Sequence, residues 1–154
     1  LPTRASGAQN AAMPPRPDLR GVRRRSCLLA ALPCWPSAHA RASDAPLGAA
    51  MRRAESLRDE ALRAGDQPYG AVVLRGDVVV GASPSRVVTA NDPTAHAEME
   101  AIRDAARRLR TRDLSGCVLV STSRACRMCE AAAGWAGISR MVYGEALTDA
   151  GAPR

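Results

Sequence analysis

Residues 94–100 read TAHAEME and residues 123–130 read SRACRMCE. These two clusters restrict the fold more than any other feature, because a chain that uses them together must bring the starts of two helices to one place. Alone, Cys126-x-x-Cys129 admits three readings. It could be a dithiol redox pair, whose helix N-terminus lowers the thiol pKa. It could be half of a metal site, since two thiolates one helical turn apart converge on one ion. It could also be two small residues packed against a sheet. His96 lies 30 residues before Cys126 and is the only histidine after residue 43, the other being His39. Glu98 has a local reason to sit where it does, because acids are favoured in first helical turns by the macrodipole. Taken together, one histidine, two cysteines and a nearby carboxylate supply the three protein ligands and the proton carrier of a catalytic zinc site. The redox reading leaves His96 and Glu98 without a role. Cys117 reads as a buried small hydrophobe.

The surrounding pattern says how the clusters meet. Met51, Ala54, Leu57, Ala61 and Leu62 recur at helical spacing, and Gly65 ends that helix. The β-branched runs YGAVVLR and VVVGAS, joined by Gly76-Asp77, read as a hairpin. DPTAHAEMEAIRDAARRLR reads as a second helix with Thr94 as its N-cap. CVLVST is a third strand, CRMCEAAAGWAG a third helix and SRMVYG a fourth strand. The order αββαβαβ predicts one α/β domain with helices on both faces of a sheet. His96 and Glu98 then fall in the first turn of the second helix, and Cys126 and Cys129 at the start of the third. Both helices follow loops leaving the sheet, so their N-termini can meet over one sheet edge, where open α/β sheets place ligands.

At 154 residues and 46% hydrophobic, the chain suffices for one domain with a real core. Phe is absent and aromatics make up 3%, so that core must be built from Ala, Val, Leu and Ile. The net charge of +7 suggests a nucleic-acid partner at first sight. The excess is confined to residues 1–43, which hold seven arginines against Asp18, whereas residues 44–154 hold fifteen arginines against fourteen acids. Within the first segment, RGVRRRSCLLAALPCWPSAHARA has the three parts of an export signal: Arg23 to Arg25, a short apolar run from Cys27 to Trp35, and Ala38-His39-Ala40 as a cleavage site. Arg24-Arg25 is of the twin-arginine kind, and the apolar run is too short to span a membrane. The sequence therefore predicts a leader over 1–43, with Met13 as the true start, and a zinc-binding domain over 44–154. The expected location is periplasmic, or cytoplasmic if the leader is not an export signal.

From about Ala50 to Asp149 the chain resembles the cytidine deaminase-like superfamily, and is similar to bacterial guanine deaminases and tRNA adenosine deaminases. DQPYGAVV, NDPTAHAEMEAIRDA, CRMCEAAAGWAG and the TDAG tail carry the resemblance. It implies a three-layer α/β/α sandwich with a central mixed sheet. It further implies a Zn2+ ion held by His96, Cys126 and Cys129, and Glu98 as the catalytic proton carrier. The implied reaction is hydrolytic deamination of a nucleobase or nucleoside, a guanine-type purine being favoured, with release of ammonia. Substrate contacts are implied for the backbone of Ala97, for Ala71 and the strand start around Tyr69, for Ser85 and for Trp135. A homodimer is expected on the same basis. Two alternatives accompany this reading: a tRNA adenosine deaminase, disfavoured by the near-neutral body, and a zinc-binding but inactive protein of the same fold. The departures are specific. The family's Glu-Pro-Cys is Arg124-Ala125-Cys126 here, its substrate-contacting Asn aligns with Ser85, which lacks a paired amide donor and acceptor, and the chain stops soon after TDAG, which predicts a truncated C-terminal end.

Overall fold

The structure, a computed structural model, describes residues 44–154. The expected export leader, residues 1–43, lies outside the described residues. The elements in chain order are α1 (Asp44–Arg63), β1 (Gly70–Arg75), β2 (Val78–Pro84), α2 (Ala97–Leu109), β3 (Cys117–Ser121), α3 (Arg127–Trp135), β4 (Arg140–Tyr143) and β5 (Thr148–Gly151). The strands form one mixed sheet in the order β2-β1-β3-β4-β5. β1 runs antiparallel to both β2 and β3, β3 is parallel to β4, and β5 is antiparallel to β4. No helix among the described residues is long and apolar enough to cross a membrane.

The period-two alternation of the strands separates two cores. Ala71 and Val73 of β1 and Leu119 of β3 face α2 and α3, where they pack with Ala97, Ala101, Ile102, Ala105 and Ala133. Val72 and Leu74 of β1, Val120 of β3 and Val142 of β4 face α1, against Leu47, Ala50, Met51, Ala54 and Leu57. The result is the expected α/β/α sandwich. With no Phe to fill space, close approach of backbones does the work of large side chains. Gly81 of β2 sits against α2, where an added Cβ would lie 2.6 Å from Ala105 N and closer still to the Ala101 carbonyl oxygen. Gly70 meets α1 in the same way at Ala54 and Arg58.

Three details differ from the sequence expectation. α1 begins at Asp44 and takes in DAPLG, because Pro46 falls in the first turn, where its missing N–H costs nothing. Thr94 is not the cap of α2. Its N–H and hydroxyl donate to Asp92 Oδ1 at 2.7 and 2.8 Å, and His96 is the N-cap. The TDAG tail is a fifth strand that extends the sheet beyond β4. The Gly76-Asp77 hairpin is present, with φ positive only at Gly76, the pattern of a type II′ turn.

The close β2–α2 contact yields a stability prediction. Gly81→Ala should cost about 2–3 kcal/mol by overpacking, seen as a lower urea midpoint with an unchanged slope. An unchanged midpoint would show that the two backbones are not in contact.

Candidate metal centre

The sheet topology brings three loops to one end. β2 and β3 both run antiparallel to β1, so their C-terminal ends lie beside the start of β1, with Gly70 opposite Pro84 and Ala71 opposite Ser121. The segment before β1 (Gln67 to Tyr69), the loop from Ser85 to His96 and the loop from Thr122 to Cys126 therefore meet. Backbone bonds stitch them together: Thr122 N–H donates to Gly70 O at 3.0 Å, and Ser85 N–H to Tyr69 O at 2.9 Å. A cleft of about 300 Å³ opens there, lined by Gln67, Tyr69, His96, Glu98, Arg124 and Cys126, with Ser123 beside Arg124.

His96 and Cys126 are the N-caps of α2 and α3. Both have extended backbone, with φ −61 and ψ 151 at His96 and φ −72 and ψ 169 at Cys126, and neither side chain makes a capping hydrogen bond. Their donor atoms are thus free to point across the gap between the helices. Cys129 comes one turn into α3. His96 Nδ1 lies 3.7 Å from Cys126 Sγ and 3.7 Å from Cys129 Sγ, and the two sulfurs are 3.6 Å apart. A tetrahedral zinc with Zn–S near ~2.3 Å and Zn–N near ~2.05 Å requires S···S of about 3.8 Å and N···S of about 3.5 Å. The observed triangle fits that ion. The electrostatics agree. Burial, with the Glu98 carboxylate close by, pushes the Cys129 thiol far up, so a thiolate there needs a cation to stabilise it. That environment is the reverse of one that activates a redox dithiol.

Glu98, in the first turn of α2, is 5% exposed, and Cys129 Sγ–H donates to its Oε2 at 3.8 Å. Burial raises its pKa against the lowering effects of its own backbone N–H and of His96. A buried carboxyl poised in this way can hold or release a proton next to the ligand triad.

The remaining expected site residues are distributed differently. Ala71 and Ala97 are fully buried in the core behind the cleft, so only the Ala97 backbone, between His96 and Glu98, is near the site. Ser85 is 2% exposed, its hydroxyl donates to Asp66 Oδ1 at 2.8 Å, and it is not among the residues lining this cleft. Trp135 is 90% exposed and ends α3, ~13 Å along the helix axis from Cys126. It lies with Ile102, Ala106 and Leu114 on a different surface, away from the cleft. Tyr69 does line the cleft, as expected. Gln67, Ser123 and Asp66 were not singled out from the sequence. Asp66 is the most consequential of them. Its Oδ1 accepts from Gln67 N–H and the Ser85 hydroxyl, each at 2.8 Å. Its Oδ2 accepts from Val88 N–H at 3.1 Å and from the Thr89 N–H and hydroxyl at 2.8 Å each. One carboxylate thus ties the cleft wall at Gln67 to the loop that ends in His96.

Fold and site together define a zinc-binding α/β/α domain with a buried acid beside an open cleft. Residues 46–145 match the model of the cytidine and deoxycytidylate deaminase zinc-binding region. The chain belongs to that family of zinc-dependent deaminases. It is 38% identical over 101 residues to guanine deaminase of Bacillus subtilis, covering 65% of each chain. It is 36% identical over 97 residues to tRNA-specific adenosine deaminase of Aquifex aeolicus, covering 63% of this chain and 62% of that one. The match therefore spans just under two thirds of these relatives' lengths. A crystal structure of guanine deaminase from Bacillus subtilis aligns with TM-score 0.60 at 36% identity, over 62% of each chain. A solved structure in complex with 2,6-diaminopurine aligns with TM-score 0.60 at 31% identity, over 64% of this chain and 55% of that one.

The Asp66 bonds predict an acid-sensitive anchor. Burial opposes ionisation of Asp66, but hydrogen bonds from Thr89, Gln67 and Ser85 outweigh it and hold the carboxyl well below the usual carboxylate range. A depressed folded-state pKa stabilises the fold above the unfolded value of ~3.9, and that stability is lost as pH falls towards the folded value. Asp66→Asn sets an amide among donors and should cost about 2–4 kcal/mol at pH 7. Urea midpoints of the two proteins should converge below about pH 4; a gap that stays constant from neutral pH down to pH 3 would contradict this.

Proposed function

We infer that the protein hydrolytically deaminates an amino-substituted purine base or nucleoside, a guanine-type 2-amino purine being favoured. The observation that carries this reading is a buried carboxylate, Glu98, in the same cleft as a His-Cys-Cys triangle of zinc dimensions. His96, Cys126 and Cys129 would hold a zinc ion, which would lower the pKa of a water towards neutrality and supply a nucleophile at ordinary pH. Glu98 accepts a proton from that water and passes it to the ring nitrogen next to the carbon under attack. It then carries the water's second proton, from the hydroxyl now on that carbon, to the exocyclic amine, which leaves as ammonia while the ring keeps a carbonyl. Gln67 offers an amide donor and acceptor from the cleft wall. Tyr69, 40% exposed, offers an aromatic face for a flat ring. Relatives named as guanine deaminases, and the neighbour bound to 2,6-diaminopurine, support a purine. The tRNA-directed reading draws on relatives of equal similarity, but fifteen arginines against fourteen acids in residues 44–154 leave little net charge with which to neutralise a phosphate backbone.

The test is ammonia release by the zinc-loaded protein from guanine, 2,6-diaminopurine, adenosine, cytosine and cytidine. Turnover should appear with at least one 2-amino purine. Glu98→Gln should lower kcat by about 10²–10⁴ while zinc content stays at one per chain. Equal rates for wild type and Glu98→Gln, including no release by either, would refute the enzyme reading.

A further inference from the structure

Arg124 is the group in the cleft that the reaction leaves without a role. It sits on the loop between β3 and α3, two residues before Cys126, and its exposed side chain lines the cleft with Gln67, Tyr69 and Glu98. Among the side chains lining the cleft, it is the one permanent cation. Arg124 makes no ion pair among the described residues, so no carboxylate there already holds its guanidinium. Glu130 borders an adjoining hollow with Arg124 but is not within salt-bridge distance of it. A guanidinium that lines a cleft with no carboxylate partner among the described residues offers a planar fork of N–H donors to a ligand there.

The purine most complementary to such a fork is one whose edge carries two adjacent acceptors. A 6-oxopurine has them in O6 and N7. A 6-aminopurine replaces the first with a donor, which meets the guanidinium N–H groups unfavourably. N7 lies across the ring system from the 2-amino group, and O6 is separated from it by N1. A base that presents C2 to the triad and Glu98 therefore turns O6 and N7 outward, away from the metal ligands. Resting on the deaminase reading above, we propose that Arg124 is a specificity-determining residue that donates to O6 and N7 of a 2-amino-6-oxopurine, selecting guanine-type substrates over 6-amino analogues.

The test compares guanine with 2,6-diaminopurine, which keeps the reacting 2-amino group but carries a 6-amino donor in place of O6 and an unprotonated N1 in place of N1–H. Turnover is read as xanthine from guanine and isoguanine from 2,6-diaminopurine, so that loss of the 6-amino group is not counted. In zinc-loaded wild type, kcat/KM for guanine should exceed that for 2,6-diaminopurine on the order of tenfold or more. Arg124→Gln and Arg124→Lys should each collapse that ratio towards one, the change falling mainly on KM for guanine. Calorimetric binding of both bases to the zinc-loaded Glu98→Gln protein, with and without the Arg124 change, reads the same preference without turnover. A wild-type ratio near one, or a ratio that survives Arg124→Gln in both assays, overturns the proposal. So does a loss confined to guanosine 5′-monophosphate, which would make Arg124 a phosphate contact. Absence of ammonia from every base refutes the enzyme reading, and the binding arm still decides the role of Arg124.

Discussion

Everything at the functional end of this molecule depends on two helix N-termini meeting with a metal ligand as the cap of each. A helix start normally recruits a side chain to satisfy its first N–H groups. Here His96 and Cys126 occupy those positions without making capping bonds. What they give up in capping they regain as a triangle with Cys129 whose edges are 3.6–3.7 Å. The thiolate form of Cys129 is unfavourable without a cation, since burial and the neighbouring Glu98 carboxyl disfavour its charge. Metal affinity is therefore part of folding energy at this end of the sheet.

Holding two helix starts at such spacing requires rigid supports, and the chain builds them from small residues. Gly81 brings β2 into backbone contact with α2, and Gly70 does the same for β1 and α1. The alanine face of α2 (Ala97, Ala101, Ala105) lets that helix lie low on the sheet. On the loop side, Asp66 gathers Gln67, Ser85, Val88 and Thr89, so the cleft wall and the approach to His96 move as one piece.

The ligand triad and Glu98 were readable from sequence because the spacing of each cluster is local. One helical turn separates Cys126 from Cys129, and one strand-exit loop precedes each helix. The layered fold was readable for the same reason, from period-two strands and helical repeats. What could not be read was set by distant partners. Asp66 looks like any loop acid until residues 19–23 positions away fold onto it. Ser85 was expected to meet substrate, yet its short hydroxyl bonds Asp66. Trp135 is close to the cysteines in sequence, but a nine-residue helix carries it to the far end. β5 offers only four residues, three of them exposed and two of them Asp and Gly, too weak a pattern to announce a strand.

The central claim is a three-ligand zinc site with one position open to water, and X-ray absorption at the zinc edge of the metal-loaded protein tests it most directly. One zinc per chain should show two sulfur neighbours near ~2.3 Å and two nitrogen or oxygen neighbours near ~2.0–2.1 Å. A shell of four sulfurs, a shell with none, or a spectrum unchanged by Cys126→Ser would contradict the account.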